Sequence, residues 1–150
     1  MLILGVGNIL LGDEGVGVRV IQTMQGMELP KHVELFDGGT AGFDLLNILA
    51  GQSKIIVVDA VQAGHEPGAI FRLRPKDLLQ RGTTFASLHQ IGLLEVLSAA
   101  EQLGCAPQQI VIFGVQPKDL SWGLELSPEV ASAMPRVIEL VLAELGIKGK

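Results

Sequence analysis

Four ionisable residues in this chain stand where an apolar run gives way to turn chemistry or to the start of a helix: Glu14, Asp37, Asp59 and His89. Carboxylates and an imidazole together form a ligand set for a divalent ion, with positions left open for water or substrate. Glu14 lies in the densest of these turns, Gly5-Val6-Gly7-Asn8-Ile9-Leu10-Leu11-Gly12-Asp13-Glu14-Gly15-Val16-Gly17. Glycines let a backbone come close to a ligand, and a helix N-terminus carries partial positive charge. Phosphate is the usual guest of such a turn. Here Asp13 and Glu14 already occupy the helix opening, so an anion is repelled and a cation welcomed. Near a helix N-terminus Glu14 stays ionised, whereas His89, in the first turn of its own helix, is biased towards the neutral form that coordinates metal. Asp37, beside two glycines, is placed to orient a water or a ligand, or to act as a base.

These residues need a scaffold that gathers them. Residues 1–4 read as a strand, and Val16, Val18, Val20, Ile21 and Met24 as the apolar side of a helix closed by Gly26. Val33-Glu34-Leu35-Phe36 is a second strand ending at Asp37-Gly38-Gly39. Thr40 can cap a helix whose face is Phe43, Leu45, Leu46 and Leu49, with Gly51 as its stop. Ile55-Ile56-Val57-Val58 is apolar on both faces, as a central parallel strand is, and ends at Asp59. This βαβαβ order predicts an α/β fold: a parallel sheet with right-handed crossovers and helices on both faces. The segment 62–68 is too short for a crossover helix. The following Ala69-Ile70-Phe71-Arg72-Leu73-Arg74 therefore reads as an antiparallel edge strand hairpinned to the third strand. Ser87-Leu88-His89-Gln90 has capping-box spacing and opens a helix with Leu93, Leu94, Val96, Leu97 and Leu103 on its apolar side, ended by Gly104. Ile110-Val111-Ile112-Phe113 is the last buried strand. Ser127-Pro128-Glu129 starts a final helix with Val130, Met134, Val137, Val141 and Leu145 on one face, which Pro135 is expected to kink or divide.

Ligands of a parallel sheet gather at the carboxyl ends of its strands. Glu14, Asp37 and Asp59 follow the first, second and third strands. A helix that precedes a parallel strand begins at that same edge, so His89 returns there, with residues 75–86 crossing the roughly 17–20 Å of strand length. Each residue also has a plainer reading. Acids at strand ends are as commonly caps or solvated loop residues, and His89 taken singly is a surface histidine of a capping region. Asp13 reads as an N-cap. His32 is expected at the opposite edge and exposed; His65, in the hairpin turn, is a reserve ligand. Trp122 is either a loop-packing residue or a contact for an extended peptide.

Bulk properties narrow the partners. The length of 150 residues suits one domain, 1–150, and the core is aliphatic, with 48% apolar but only 4% aromatic residues. A net charge of −5 without a basic run argues against nucleic acid. The single Cys105 excludes an internal disulfide and fits a reducing compartment. No apolar run approaches the ~18 residues of a span, and no basic region precedes the apolar start, so a cytoplasmic protein without membrane insertion is expected.

The 5–17 string is similar to the signature of the hydrogenase maturation endopeptidases, which remove a C-terminal tail from the large-subunit precursor of nickel–iron hydrogenases. Further matches are Asp37-Gly38-Gly39-Thr40-Ala41-Gly42, Val58-Asp59-Ala60, Pro67-Gly68, Ser87-Leu88-His89-Gln90 and Gly114-Val115-Gln116-Pro117. The resemblance implies a three-layer α/β/α sandwich with a five-stranded, mostly parallel sheet. It implies that Glu14, Asp59 and His89 contact nickel, that the nickel arrives inside the precursor, and that Asp37 matters for activity. No organic cofactor is implied. Metal-assisted peptide hydrolysis follows as the expected chemistry. A serine or cysteine mechanism is disfavoured, because no Gly-x-Ser-x-Gly elbow occurs and Cys105 is expected at the opposite edge. Two rivals remain. A small nucleotide-binding Rossmann-like protein would explain Gly5-x-Gly7 and Asp37, although Leu10 replaces the third glycine and no GxxxxGK[ST] occurs. A nickel chaperone without catalysis would use the same ligands.

Overall fold

The computed structural model describes residues 1–39, 45–80 and 88–146, without the side chains of 78–80 and 88–92. Five strands, β1 (Leu2–Val6), β2 (Glu34–Gly39), β3 (Lys54–Ala60), β4 (Ile70–Leu73) and β5 (Gln109–Val115), form one sheet in the order β2-β1-β3-β5-β4. All neighbours are parallel except β4 and β5. The helices are α1 (Val16–Met24), α2 (Leu45–Leu49), α3 (Pro75–Gln80), α4 (Leu88–Gln102) and α5 (Pro128–Glu144). Strand alternation divides the core in two. Ile3, Ile56, Val58, Val111 and Phe113 pack with Val20, Ile21, Val137 and Val141 of α1 and α5. Leu2, Leu4, Ile55, Val57 and Ile112 pack with Leu45, Leu49, Leu93 and Val96 of α2 and α4. The expected α/β/α sandwich is the fold observed. Among the described residues no helix is long and apolar enough to cross a membrane.

One connection differs from expectation. β4 does not hairpin to β3; β5 lies between them and pairs with both. The reason is burial. β5 is covered on both faces from Val111 onwards, so it takes an interior position, and the edge goes to β4, whose Arg72 is exposed. The loop 61–69 must then pass over the carboxyl end of β5, and Gln116, just past that end, holds it. Gln116 is buried. Its Oε1 accepts from the N–H groups of Ala63 (2.9 Å) and His65 (3.2 Å), and its Nε2 donates to Gln62 Oε1 and to the Pro117 carbonyl. Its backbone N–H donates to the Ala69 carbonyl, and its carbonyl accepts from Gly68 N–H.

Smaller differences have local causes. Residues 75–80 form α3 inside the stretch read as a plain connector, with Pro75 at its first position. α5 runs undivided through Pro135, because Ser127 caps it and the burial of Val130, Val137, Val141 and Leu142 outweighs one missing backbone donor. Leu103 lies past the end of α4 and is exposed. The proposed caps Thr40 and Ser87, and Phe43, lie outside the described residues.

α1 sits unusually low on the sheet. A Cβ built on Gly17 would lie 2.1 Å from the Val58 carbonyl oxygen and 2.7 Å from that of Val6, and one on Gly5 would lie 2.4 Å from the Gly17 carbonyl oxygen. Neither site holds a side chain without moving the helix. Gly51 differs: its φ of +78° disfavours a side chain, but nothing lies within 4 Å of an added Cβ. Gly17→Ala is therefore expected to destabilise by about 3 kcal/mol or more. Gly51→Ala should cost only about 1 kcal/mol. Urea unfolding of the two variants checks the order.

The far end of α5 is tied to the sheet by Glu144, which pairs with Lys54 of β3 at 2.8 Å and with Arg72 of β4 at 2.5 Å. The Arg72 hydrogen bond, with help from Lys54, holds the Glu144 carboxyl below its ordinary range. A depressed carboxylate adds stability above its unfolded pKa, about 4.3 for glutamate, and loses it as pH falls through the lower folded value. Acid unfolding curves should therefore show Glu144→Gln destabilised at pH 7, with the gap to the parent closing below about pH 4.

Candidate functional site

The site grows from the exit of β1. Gly7 takes φ +128°, a conformation open to glycine, and turns the chain outward. The Asn8 carboxamide oxygen accepts from Leu10 N–H at 2.9 Å and sets the next bend. Residues Gly12–Gly15 then make one 3₁₀ turn before α1 begins. That turn lifts Asp13 and Glu14 clear of the α-helix proper, so neither caps α1 by its side chain.

At Gly7 two distant segments meet. A Cβ there would lie 2.0 Å from the Glu14 carbonyl oxygen and 3.6 Å from Asp59 Oδ1. The backbone carbonyl of the half-buried Glu14 and the carboxylate of the buried Asp59 thus border the same small space. Asp59 is level with Gly114 in the ladder and shares the strand face of Ile55 and Val57, the face covered by α2 and α4. Its Oδ1 accepts from Ala60 N–H at 2.8 Å. His89 falls in the first turn of α4. The 15 residues of that helix rise about 22 Å, which matches the span of the strand it precedes and returns its first turn to the carboxyl edge. The imidazole itself lies outside the described residues. Asp37 stands in β2, level with Gly5 and exposed. Because β1 separates β2 from β3, its backbone is about 10 Å from β3. Among the described residues no group of three His, Cys, Asp or Glu side chains is disposed to hold a metal.

The other histidines have ordinary settings. His32 is exposed in the turn before β2, and His65 is exposed with its ring 5.0 Å from that of Phe71. Trp122 does not pack its loop: it is 79% exposed.

Two residues carry more structure than their sequence context suggests. Asp13, expected as an N-cap, is fully buried and ties the first turn to the loop before α5. Its Oδ2 accepts from the N–H groups of Lys118 (2.8 Å) and Asp119 (2.9 Å) and from Ser127 Oγ (2.8 Å), and its Oδ1 accepts from Ser127 N–H (2.7 Å). Those partners lie 105 to 114 positions away, and no local pattern announces them. Gln116 is the second, with only its place in the Gly114-Val115-Gln116-Pro117 string as a signal.

The turn that resembles a dinucleotide loop is closed by its own chain. The Glu14 carbonyl fills the space above Gly7 that a pyrophosphate would need. What the edge offers instead is oxygen donors, two of them acidic and partly desolvated, which favours a cation or a polarised carbonyl over an anion. Comparison with known proteins supplies the class of the chain. The profile of the hydrogenase maturation protease family matches residues 18–144. The chain is 40% identical to the hydrogenase 2 maturation protease of Escherichia coli strain K12, over 99% of this chain and 92% of that one. It is 42% identical to the hydrogenase expression/formation protein HupD of Bradyrhizobium diazoefficiens, over 98% of this chain and 80% of that one. The solved structure of the hydrogenase maturating endopeptidase HybD from E. coli superposes with a TM-score of 0.90 at 39% identity, covering 97% of this chain and 91% of that one. This chain belongs to the hydrogenase maturation protease family. It is an endopeptidase, a hydrolase of peptide bonds.

Because Asp13 answers four donors at once, its removal strands several of them. Asp13→Ala is expected to cost about 3 kcal/mol or more, and Asp13→Asn somewhat less, since an amide keeps one acceptor but turns donors towards Ser127. Equilibrium unfolding in urea measures both.

Proposed function

We propose that this endopeptidase removes the C-terminal extension from the nickel-loaded large-subunit precursor of a [NiFe] hydrogenase, with Glu14, Asp59 and His89 contacting nickel that the precursor itself brings. The observation that carries the reading is the meeting of the Glu14 backbone and the Asp59 carboxylate around Gly7 at the carboxyl edge, where the first turn fills the space a phosphate would need. The names of the E. coli relatives support hydrogenase as the client. The donor chemistry suits the metal, since carboxylate and imidazole both bind borderline divalent ions.

Bound nickel would supply Lewis acidity next to the scissile bond. The chain's own residues do the rest. Glu14 and Asp59 set a negative potential that draws the metal-loaded end of the precursor and rejects competing anions. Their fixed positions on the first turn and on β3 orient the bound segment, so that the scissile carbonyl is presented in one pose. Asp37, exposed on β2, orients the attacking water and accepts its proton.

A processing assay with purified precursor tests this. The nickel-loaded precursor should be trimmed and the metal-free precursor left intact. Glu14→Gln, Asp59→Asn and His89→Ala should each slow trimming by about 10²-fold or more, with Asp37→Asn slowing it comparably. Trimming at the normal rate by Glu14→Gln or His89→Ala would overturn the site. Tight stoichiometric nickel on the isolated protein without any proteolysis would favour the chaperone reading instead.

A further inference from the structure

The loop between β5 and α5 displays apolar side chains to solvent. Trp122 is 79% exposed and Leu124 58%, with Leu120 and Leu10 also exposed beside them. Apolar groups left in water cost free energy that a flexible loop would relieve by folding them inward. This loop is instead braced from every side. Asp13 Oδ2 holds the N–H groups of Lys118 and Asp119. Gly123 N–H donates to the Leu10 carbonyl and the Gly123 carbonyl accepts from Gly12 N–H, both at 2.9 Å, so that Leu11 and Gly123 form an isolated parallel bridge. Arg19 Nη2, reaching from α1, donates to the Leu124 carbonyl at 2.7 Å. A rigid backbone presenting a tryptophan outward is the arrangement of a preorganised binding hot spot.

The bridge at Leu11 makes this patch continuous with the turn that carries Glu14, three residues further on. Its rim is acidic. Asp119 and Glu125 are exposed; of the nearby cations, Lys118 is paired with Glu129 at 2.8 Å, and Arg19 donates to the Leu124 carbonyl and to Gln22 Oε1. Ser121 donates to Asp119 Oδ1 through both its hydroxyl (2.5 Å) and its N–H (2.9 Å), which keeps that carboxyl ionised.

We propose that Leu10, Leu120, Trp122 and Leu124 form the docking surface for the precursor, taking an apolar segment flanked by basic residues, so that a body seated on Trp122 is held with its cleavable end at Glu14. This rests on the function proposed above. Trp122 is a specificity residue here and takes no part in bond breaking.

The chain has a single tryptophan, so 5-fluorotryptophan labelling gives one fluorine resonance that reports Trp122 alone. In the slow Glu14→Gln variant, nickel-loaded precursor should shift that resonance and cut its solvent isotope shift by half or more. In the active enzyme Trp122→Ala and Leu124→Ser should raise KM for the precursor about tenfold while kcat at saturation holds, the pattern of lost uniform binding. Raising the salt concentration should raise KM further. Leu103→Ser, exposed past the end of α4, should change neither constant. Unchanged KM in Trp122→Ala, with the parent trimming normally, would overturn the docking surface and leave the proteolytic reading intact. A resonance that moves with protease concentration alone would assign the patch to a second copy of this chain and overturn it too. A parent that leaves the precursor uncut, with the fluorine signal unmoved, would overturn the functional reading and the docking with it.

Discussion

The contact between α1 and the sheet governs this molecule. Helix and strands meet backbone to backbone, with the Gly17 position pressed between the carbonyls of Val6 and Val58 and the Gly5 position against that of Gly17. Layers of a packed α/β domain are ordinarily held apart by side chains, and here two glycines remove them. The consequence is local and chemical. Because α1 sits so low, the 3₁₀ turn leading into it lands against the end of β3, and the Glu14 backbone comes within reach of Gly7 and the Asp59 carboxylate. A glycine-rich loop after a first strand is elsewhere a phosphate cradle. In this fold the same residue type serves close packing, and the space a phosphate would enter is taken by the chain.

The second constraint is polar satisfaction at the carboxyl edge. Five consecutive residues, 115–119, hold both neighbouring loops. The Val115 carbonyl accepts from Val61 N–H, Gln116 braces 62–69, and the N–H groups of Lys118 and Asp119 close on Asp13. Irregular backbone cannot meet its own hydrogen-bonding needs, so one buried amide and one buried carboxylate do it instead. Both reach across the sequence, which is why the edge can be built of loops and still hold its residues in fixed places. The exit of β5 thus contributes no donor to the proposed metal contacts and yet fixes the turn that does.

Much of this is legible in the sequence. Alternation and double-sided apolar runs located all five strands, since burial on one or two faces leaves a period in the sequence. Ser127-Pro128 announced α5, because a cap and a first-turn proline are local chemistry. Strand order at the far edge was not legible. The 62–68 turn is equally suited to pairing β4 with β3 or to stepping over a strand not yet made, and only the two-sided burial of β5 decides. Asp13 was misread for a related reason: in sequence it is an acid at a helix start, and nothing nearby reveals that Ser127 and the 118–119 backbone will enclose it. Pro135 looked disruptive because propensity is a local quantity, whereas the packing that overrides it is not. Of the proposed site, the edge occupied by Glu14, Asp37 and Asp59 follows from topology, but the interposition of β1 between the strands of Asp37 and Asp59 follows only from the observed strand order.

That separation fits a division of labour on the proposed reading. The Glu14 carbonyl and the buried Asp59 carboxylate border one small space, and on that reading a cation brought there would find oxygen donors already in place. Three donors from this chain, Glu14, Asp59 and His89 in the proposal, would leave the coordination open, and the metal's remaining ligands would then belong to the body that carries it. A docking surface on the same turn then has a physical purpose. Binding through Trp122 would bring any folded precursor to the edge, while the paired acids would reward only one that presents a cation. On that reading shape would select the partner and charge would report its state, and a hydrolytic water oriented from a separate strand would be engaged only when both conditions hold.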